Sequence, residues 1–179
     1  MDRLLLDACV LFPTTLREIL TEAAKADLFT PLWSDRILEE WRRAEARRGG
    51  DAGVAITLFA DRFAKGRVVP EPLETGLPDA NDVHVLEAAV AGQAEAIMTF
   101  NLRDFPGRVL ARHGVMAVHP DALLLSLFHE QKEALKPILT MAHANAQRAI
   151  GRQITPRTLF KKAQLPRVGK AFSGLSPTV

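Results

Sequence analysis

With 179 residues, 47% of them apolar and 25% charged, the chain is long enough for one well-formed core plus an appendage and short for two full domains. No apolar run reaches the roughly 18 to 20 residues that span a bilayer, and Asp7 interrupts the apolar start MDRLLLDACVLFP, which a secretory leader tolerates poorly, so a cytoplasmic protein with no membrane association is expected. Cys9 is the only cysteine, which excludes an intramolecular disulfide, and the net charge of +2 divides unevenly: Ala134 to Val179 holds eight cations and no Asp or Glu, leaving −6 on the first 133 residues.

Arg3 to Leu6 is a short apolar run ended by Asp7 and reads as a buried strand. Pro13-Thr14-Thr15 is a helix start, with Glu18 placed three residues after Thr15 as in a capping box, so a helix is expected over Leu16 to Ala26. Ser34 caps a second helix from Asp35 to about Arg48, stopped by Gly49-Gly50. A third helix covers Asp51 to Lys65 and closes at Gly66; Val68-Val69 is at most a very short strand before Pro70 and Pro72. Pro78-Asp79-Ala80-Asn81 is turn chemistry, followed by an apolar helix from Asp82 to Ala91 that Gly92 ends. Ala96 to Thr99 is a buried strand, Asn101 to Arg103 a polar loop, Val115 to Val118 another strand, and His119-Pro120-Asp121 the start of a helix. Short apolar strands alternating with helices predict an α/β fold with a mainly parallel sheet, in which ligands bind outside the carboxyl ends of the strands.

From Ala122 to about Ile150 the pattern is helical, with a kink expected at Pro137. Beyond it, Pro156, Pro166, Gly169, Gly174 and Pro177 leave room for one short helix, Arg157 to Gln164. The division falls between about 120 and 130: residues 1–125 form the α/β domain and 126–179 a helical basic extension. The basic extension points to nucleic acid, or to an acidic partner surface, as its ligand; a merely solvated tail is the other reading. ITPRTLFKKAQLPRVGK mixes cations with Phe160 and leucines, and as a short amphipathic stretch it reads more readily as a helix packing on the core than as a docking element.

Three carboxylates stand where such a sheet puts its site. Asp7 immediately follows the first strand, Asp82 lies in the first turn of its helix, and Asp104 follows the strand ending at Thr99, with Glu40 on the second helix. A convergent acidic cluster cannot keep all its charges without a counter-ion. Mg²⁺ meets that need, taking one or two carboxylates while keeping several waters, and phosphodiester hydrolysis then requires little beyond positioning and charge stabilisation. Local uses compete for each acid. Asp82 suits the positive end of its helix, Asp79 a turn or cap, and Asp104 a turn before Phe105-Pro106, while the adjacent Glu39 and Glu40 point about 100° apart. Asp7 is the exception, because an acid ending an apolar strand is costly unless it is used.

LLLDACVL at the start, SDRILEEW on the second helix and LPDANDVHVLEAAVAGQAEAIMTFNLRDFP in the middle resemble the successive motifs of PIN-domain nucleases, including VapC-like toxins of toxin–antitoxin pairs, over about residues 1–120. The resemblance implies a three-layer α/β/α fold, Mg²⁺- or Mn²⁺-dependent endoribonuclease activity, an antitoxin partner and a homodimer. By motif it makes Asp7, Glu40, Asp82 and Asp104 the catalytic acids, with Asp7, Asp82 and Asp104 on the metal. Asp79 is an auxiliary acid, and Thr99 is the hydroxyl suited to orienting a ligating carboxylate. Asn101 stands where many relatives carry an acid, so Asn101 and Asp104 compete for the fourth place. Arg103, Lys161, Lys162, Arg167 and Lys170 are the cations expected to meet RNA. Leu16, Leu20, Leu28 and Phe29 are candidates for a dimer interface and equally for the core.

Other chemistries fit less well. A haloacid-dehalogenase-like phosphatase needs a second Asp where Cys9 stands, and a receiver domain needs an acidic pair and a later Lys that are not evident. Neither GxxxxGK[ST] nor GxGxxG occurs. His84, His113, His119, His129 and His143 form no acid–base pair, and Cys9 has no base placed beside it by sequence. The alternative of another class is a catalytically weak module that binds nucleic acid and a partner protein on the same scaffold.

Overall fold

A computed structural model describes residues 1–174, so Pro177 and the last residues of the expected extension lie outside the described residues. In chain order the elements are β1 (Arg3–Leu6), α1 (Ala8–Leu11), α2 (Thr14–Lys25), β2 (Thr30–Leu32), α3 (Asp35–Ala46), α4 (Gly53–Arg62), α5 (Val83–Ala91), β3 (Ala96–Met98), α6 (Gly107–Leu110), β4 (Met116–Val118), α7 (Pro120–Glu130), α8 (Lys132–Ile150), α9 (Pro156–Lys162) and α10 (Pro166–Ser173), with 3₁₀ turns at Ala64–Gly66 and Ala111–His113. They form two compact units. One comprises Met1–Phe12 and Phe29–His119; the other comprises Pro13–Leu28 and the chain from Pro120. No helix of the described residues is long and apolar enough to cross a membrane.

The first unit is built on a four-stranded sheet of order β2-β1-β3-β4 in which every pairing is parallel, with Leu5 opposite both Leu32 and Ile97. Leu4 to Leu6 and Ala96 to Met98 are at most 1% exposed, so both faces of the central strands are covered and their side chains run apolar without alternation. β2 is the strand that sequence patterning did not anticipate, because Pro31 sits in its middle. It is an edge strand, where a missing N–H is tolerated. Val68-Val69 does not extend the sheet; the neighbouring contact is a single bridge between Trp33 and Arg67, with Val68 N–H donating to the Trp33 carbonyl at 2.8 Å. Gly66 makes that approach possible, since a Cβ there would stand 2.0 Å from the Pro31 carbonyl oxygen.

Ser34 Oγ accepts the Ile37 N–H at 3.4 Å as the cap of α3, which buries Ile37, Leu38 and Trp41 on one stripe. Gly49, at φ +77°, turns the chain away after it. α5 is buried through His84, Val85, Leu86, Ala88 and Ala89 and packs against β1 and β3.

The second unit is helical. α2 packs Leu16, Ile19, Leu20 and Ala23 toward α8, which buries Leu135, Ile138, Leu139 and Ala142. The expected capping box does not form: α2 begins one residue before Thr15, with Pro13 as its cap residue, and Glu18 instead accepts a hydrogen bond from Asn145 Nδ2. The break in the long helical stretch falls at Gln131 (φ −133°, ψ 47°), not at Pro137. Restarting at Lys132 puts Pro137 in the second turn of α8, where it forfeits one hydrogen bond. Leu16, Leu20, Leu28 and Phe29 are all buried within the single chain.

Two short helices follow where one was expected. Thr155 caps α9, with Pro156 in its first turn, and α10 starts at Pro166. Gly169 reads as a helix breaker in the sequence, yet it lies inside α10, where a Cβ would come 3.0 Å from Phe160 Cβ; it is a close-contact position between α9 and α10. Leu159, Phe160, Leu165, Val168 and Phe172 close this pair of helices over a shared apolar core, with Phe160 and Phe172 edge-to-face at 5.7 Å. The N-terminus of α10 is held by Asp121, 4% exposed, whose carboxylate accepts the N–H of Arg167 (3.1 Å) and of Val168 (3.0 Å). Asp121→Ala should cost about 1–3 kcal/mol locally and deprotect the amides of Arg167 and Val168 in hydrogen exchange, with partial recovery in Asp121→Asn. Unchanged protection in Asp121→Ala would show that α10 does not depend on this cap.

Candidate active site

The strand order reverses direction between β1 and β3: β2 flanks one and β4 the other. In open parallel sheets this reversal opens a crevice at the carboxyl ends of the two strands, and Asp7 and Thr99 are the residues that follow those ends. Asp7 N–H continues the ladder to the Met98 carbonyl at 3.1 Å. Its side chain, 8% exposed, is the cap of α1, with Oδ1 3.5 Å from the Cys9 N–H. Oδ2 accepts the Thr99 hydroxyl at 2.6 Å and the Cys9 thiol at 3.0 Å. Thr99 is fully buried, and its Oγ1 also accepts the Asn101 N–H at 3.0 Å.

Cys9 thus has a part that the sequence did not suggest. Burial first, and the Asp7 charge second, push its thiol up to about 12, so it stays protonated and serves Asp7 as a donor. Its sulfur in turn accepts the Phe100 N–H at 3.3 Å. A thiol held this way is no nucleophile.

Asp82 stands at the N-terminus of α5. Burial and then the carboxylates of Asp104, Asp79 and Asp7, in that order, push it up to about 6, while His84 acts in the opposite direction. Asp79 and Asp82, neighbours in the chain, therefore share one electrostatic neighbourhood with the distant Asp7 and Asp104. Asp79 is also a turn residue, its Oδ1 accepting the Asn81 N–H at 2.8 Å. Asn101 has an exposed side chain and contributes backbone, its carbonyl accepting the Asp104 N–H at 3.0 Å. The acid of this loop that acts on Asp82 is Asp104. Arg103 is exposed beside it.

Glu40 enters through a residue that sequence reading treated as ordinary. His84 is 3% exposed, and its Nε2 lies 2.8 Å from Glu40 Oε1, with Arg36 Nε 3.7 Å from the same oxygen. A polar side chain set between Val83 and Val85 on the buried side of α5 needs a partner, and that is the signal the sequence carries. Lys161, Lys162, Arg167 and Lys170 belong to the other unit, exposed on α9 and α10.

Among the described residues no group of three or more His, Cys, Asp and Glu side chains is arranged to hold a metal ion outright. Asp82 is nevertheless held above the usual carboxylate range, by burial first and by the neighbouring carboxylates second. Together these suit a hydrated hard cation that takes one or two carboxylates directly and reaches the others through water, and not an all-protein cage.

A model of the PIN domain family matches residues 3–103 of the chain. The Mycobacterium tuberculosis protein named "Putative ribonuclease VapC50" is 43% identical over 58 residues, which is 32% of this chain and 34% of that protein, so the match spans about a third of the relative's length. No solved structure matches the chain significantly.

Because the folded Asp82 titrates near 6 against an ordinary 3.8, its proton stabilises the folded chain at low pH, and that contribution is lost as pH rises through about 6. Without divalent ions at pH 7.5, Asp82→Asn should therefore raise the melting midpoint. The gain should be about 2–4 °C if solvent screening leaves about 1 kcal/mol of the repulsion, and it should shrink toward pH 4. Melting curves in EDTA across that range test this. An equal gain at both ends would mean that carboxylate repulsion is not the cause.

Proposed function

The chain belongs to the PIN-domain family, and on that premise we propose that it is a Mg²⁺- or Mn²⁺-dependent endoribonuclease, the toxin of a toxin–antitoxin pair. The observation that carries the reading is the shared field of Asp7, Asp79, Asp82 and Asp104 beside the carboxyl ends of β1 and β3. The partial match to a protein named as a ribonuclease supports RNA as the substrate class.

In this proposal Asp7, Asp82 and Asp104 hold the ion. When bound, a divalent cation supplies the positive charge these acids lack and polarises the phosphodiester. Thr99 and Cys9 together occupy Asp7 Oδ2, so Oδ1, with its long 3.5 Å contact, is the oxygen that would ligate a cation. Glu40, whose Oε1 lies 2.8 Å from His84 Nε2, is the base that would accept the proton of the attacking water. Asn101 positions the loop through its backbone, so Asp104 takes the fourth acidic place.

The test is cleavage of structured RNA with Mg²⁺ or Mn²⁺, with EDTA, and by Asp7→Asn. Cleavage should need the cation and vanish in Asp7→Asn, and Thr99→Val should weaken Mn²⁺ binding by about 10–100-fold. Equal cleavage by wild type and Asp7→Asn would remove the mechanism. RNA binding with no cleavage by either would favour a catalytically weak binding module on the same scaffold, the reading that Asn101 in an acid's place supports.

Expression of the chain should arrest growth, with relief by a small antitoxin encoded beside it. Harmless overexpression would cost the toxin assignment while leaving the nuclease assignment standing. A homodimer, expected from the resemblance, belongs to the same proposal, and sedimentation of the purified chain measures it.

A further inference from the structure

Some cations of the sheet-bearing unit have carboxylate partners, whereas α9 and α10 carry five cations and contain no Asp or Glu. In the sheet-bearing unit, Arg36, Arg42, Arg43 and Arg67 pair with Glu40, Glu39, Glu39 and Asp35 respectively. On α9 and α10, Arg157, Lys161, Lys162, Arg167 and Lys170 are exposed, and none of them forms an ion pair among the described residues. Asp121, the acid bound to α10, has its carboxylate turned to backbone N–H groups.

Helix stability does not account for all five. Lys161 and Lys162 complement the negative end of α9, but Arg157 lies in the first turn of that helix, where a cation opposes the helix dipole and no acid offsets it. The surface between these cations has a definite character. Phe160, Phe172, Leu159, Leu165 and Val168 are all buried, and among the described residues the exposed large apolar side chains all lie elsewhere, at or before Ile150. A face of charge without apolar anchors lacks the wedge that an amphipathic helix drives into a membrane and the desolvated centre that a protein–protein interface needs. It also lacks exposed aromatic rings on which bases would stack. What exposed cations without acids or apolar anchors match is a polyanion, such as a run of phosphates.

We propose that the α9–α10 pair is a sequence-independent phosphate-binding platform that engages the backbone of the RNA strand. The choice of RNA among polyanions rests on the nuclease reading above. Phosphate contacts position a strand and carry no sequence information, so target selection falls to residues outside this pair of helices.

The experiment uses the full chain in EDTA on an Asp7→Asn background, to prevent turnover. Its probe is a labelled single-stranded oligoribonucleotide of mixed sequence, compared with a scrambled one. Replacing Lys161, Lys162, Arg167 and Lys170 with Gln should reduce the slope of log affinity against log salt by about 0.7 for each phosphate no longer neutralised, hence by about 2–3. The loss should be the same factor for both sequences. Lys161→Arg, Lys162→Arg and Lys170→Arg together should retain the slope. Arg157→Gln should weaken binding with no fall in melting midpoint, which a purely structural role would not produce. An unchanged slope, a loss confined to one sequence, or displacement of RNA by polyglutamate at equal charge would each overturn the platform, the last by assigning the face to an acidic protein. Cleavage by the unsubstituted protein, measured separately, distinguishes the two levels: cleavage with an unchanged slope defeats only this inference, and a reduced slope with no cleavage defeats only the nuclease.

Discussion

The hydrogen bond from Thr99 to Asp7, 2.6 Å long and almost wholly out of water, ties the end of β1 to the end of β3. A side chain that is only 8% exposed needs hydrogen-bond partners for its oxygens, and here a hydroxyl, a thiol and a backbone N–H supply them. With Asp7 secured in this way, the electrostatic cost of gathering acids falls on Asp82, the less enclosed member at the start of α5. The pocket is therefore polarised. One acid is held by donors, and its neighbour is raised by burial first and by surrounding carboxylates second.

What the sequence made legible is whatever depended on local pattern. The run RLLL ending in Asp7, the apolar helix before Gly92 and the strand ahead of Thr99 each stand where patterning put them, because both faces of the central strands are covered and leave continuous apolar stretches. β2 escaped notice since Pro31 contradicts strand chemistry everywhere except at an edge, and edge position is a property of the assembled sheet. α10 escaped for a similar reason. Gly169 signals a break when read alone and signals close packing once Phe160 is opposite it.

The site divides along the same line. Asp7 could be singled out because no local use explained it. Cys9 could not, since its role consists of contacts with Asp7 and Thr99, and His84 signals only that it needs a partner, because residues 84 and 40 meet only after α3 and α5 have been placed. The competition between Asn101 and Asp104 has the same origin: the loop brings one in through its main chain and the other through its carboxylate.

The helical unit is assembled from two stretches that synthesis separates. α2 is made early, yet the surface it packs against is α8, and the hydrogen bond between Glu18 and Asn145 spans 127 residues. At translation speeds of about 5–20 residues per second, the apolar stripe of α2 waits on the order of ten seconds for its partner. During that interval a nascent chain with its sheet already complete would still display Leu16, Ile19 and Leu20 to solvent or to a chaperone. Closure of this unit thus waits for the synthesis of α8, and a chain interrupted near residue 120 lacks the helix that packs on α2.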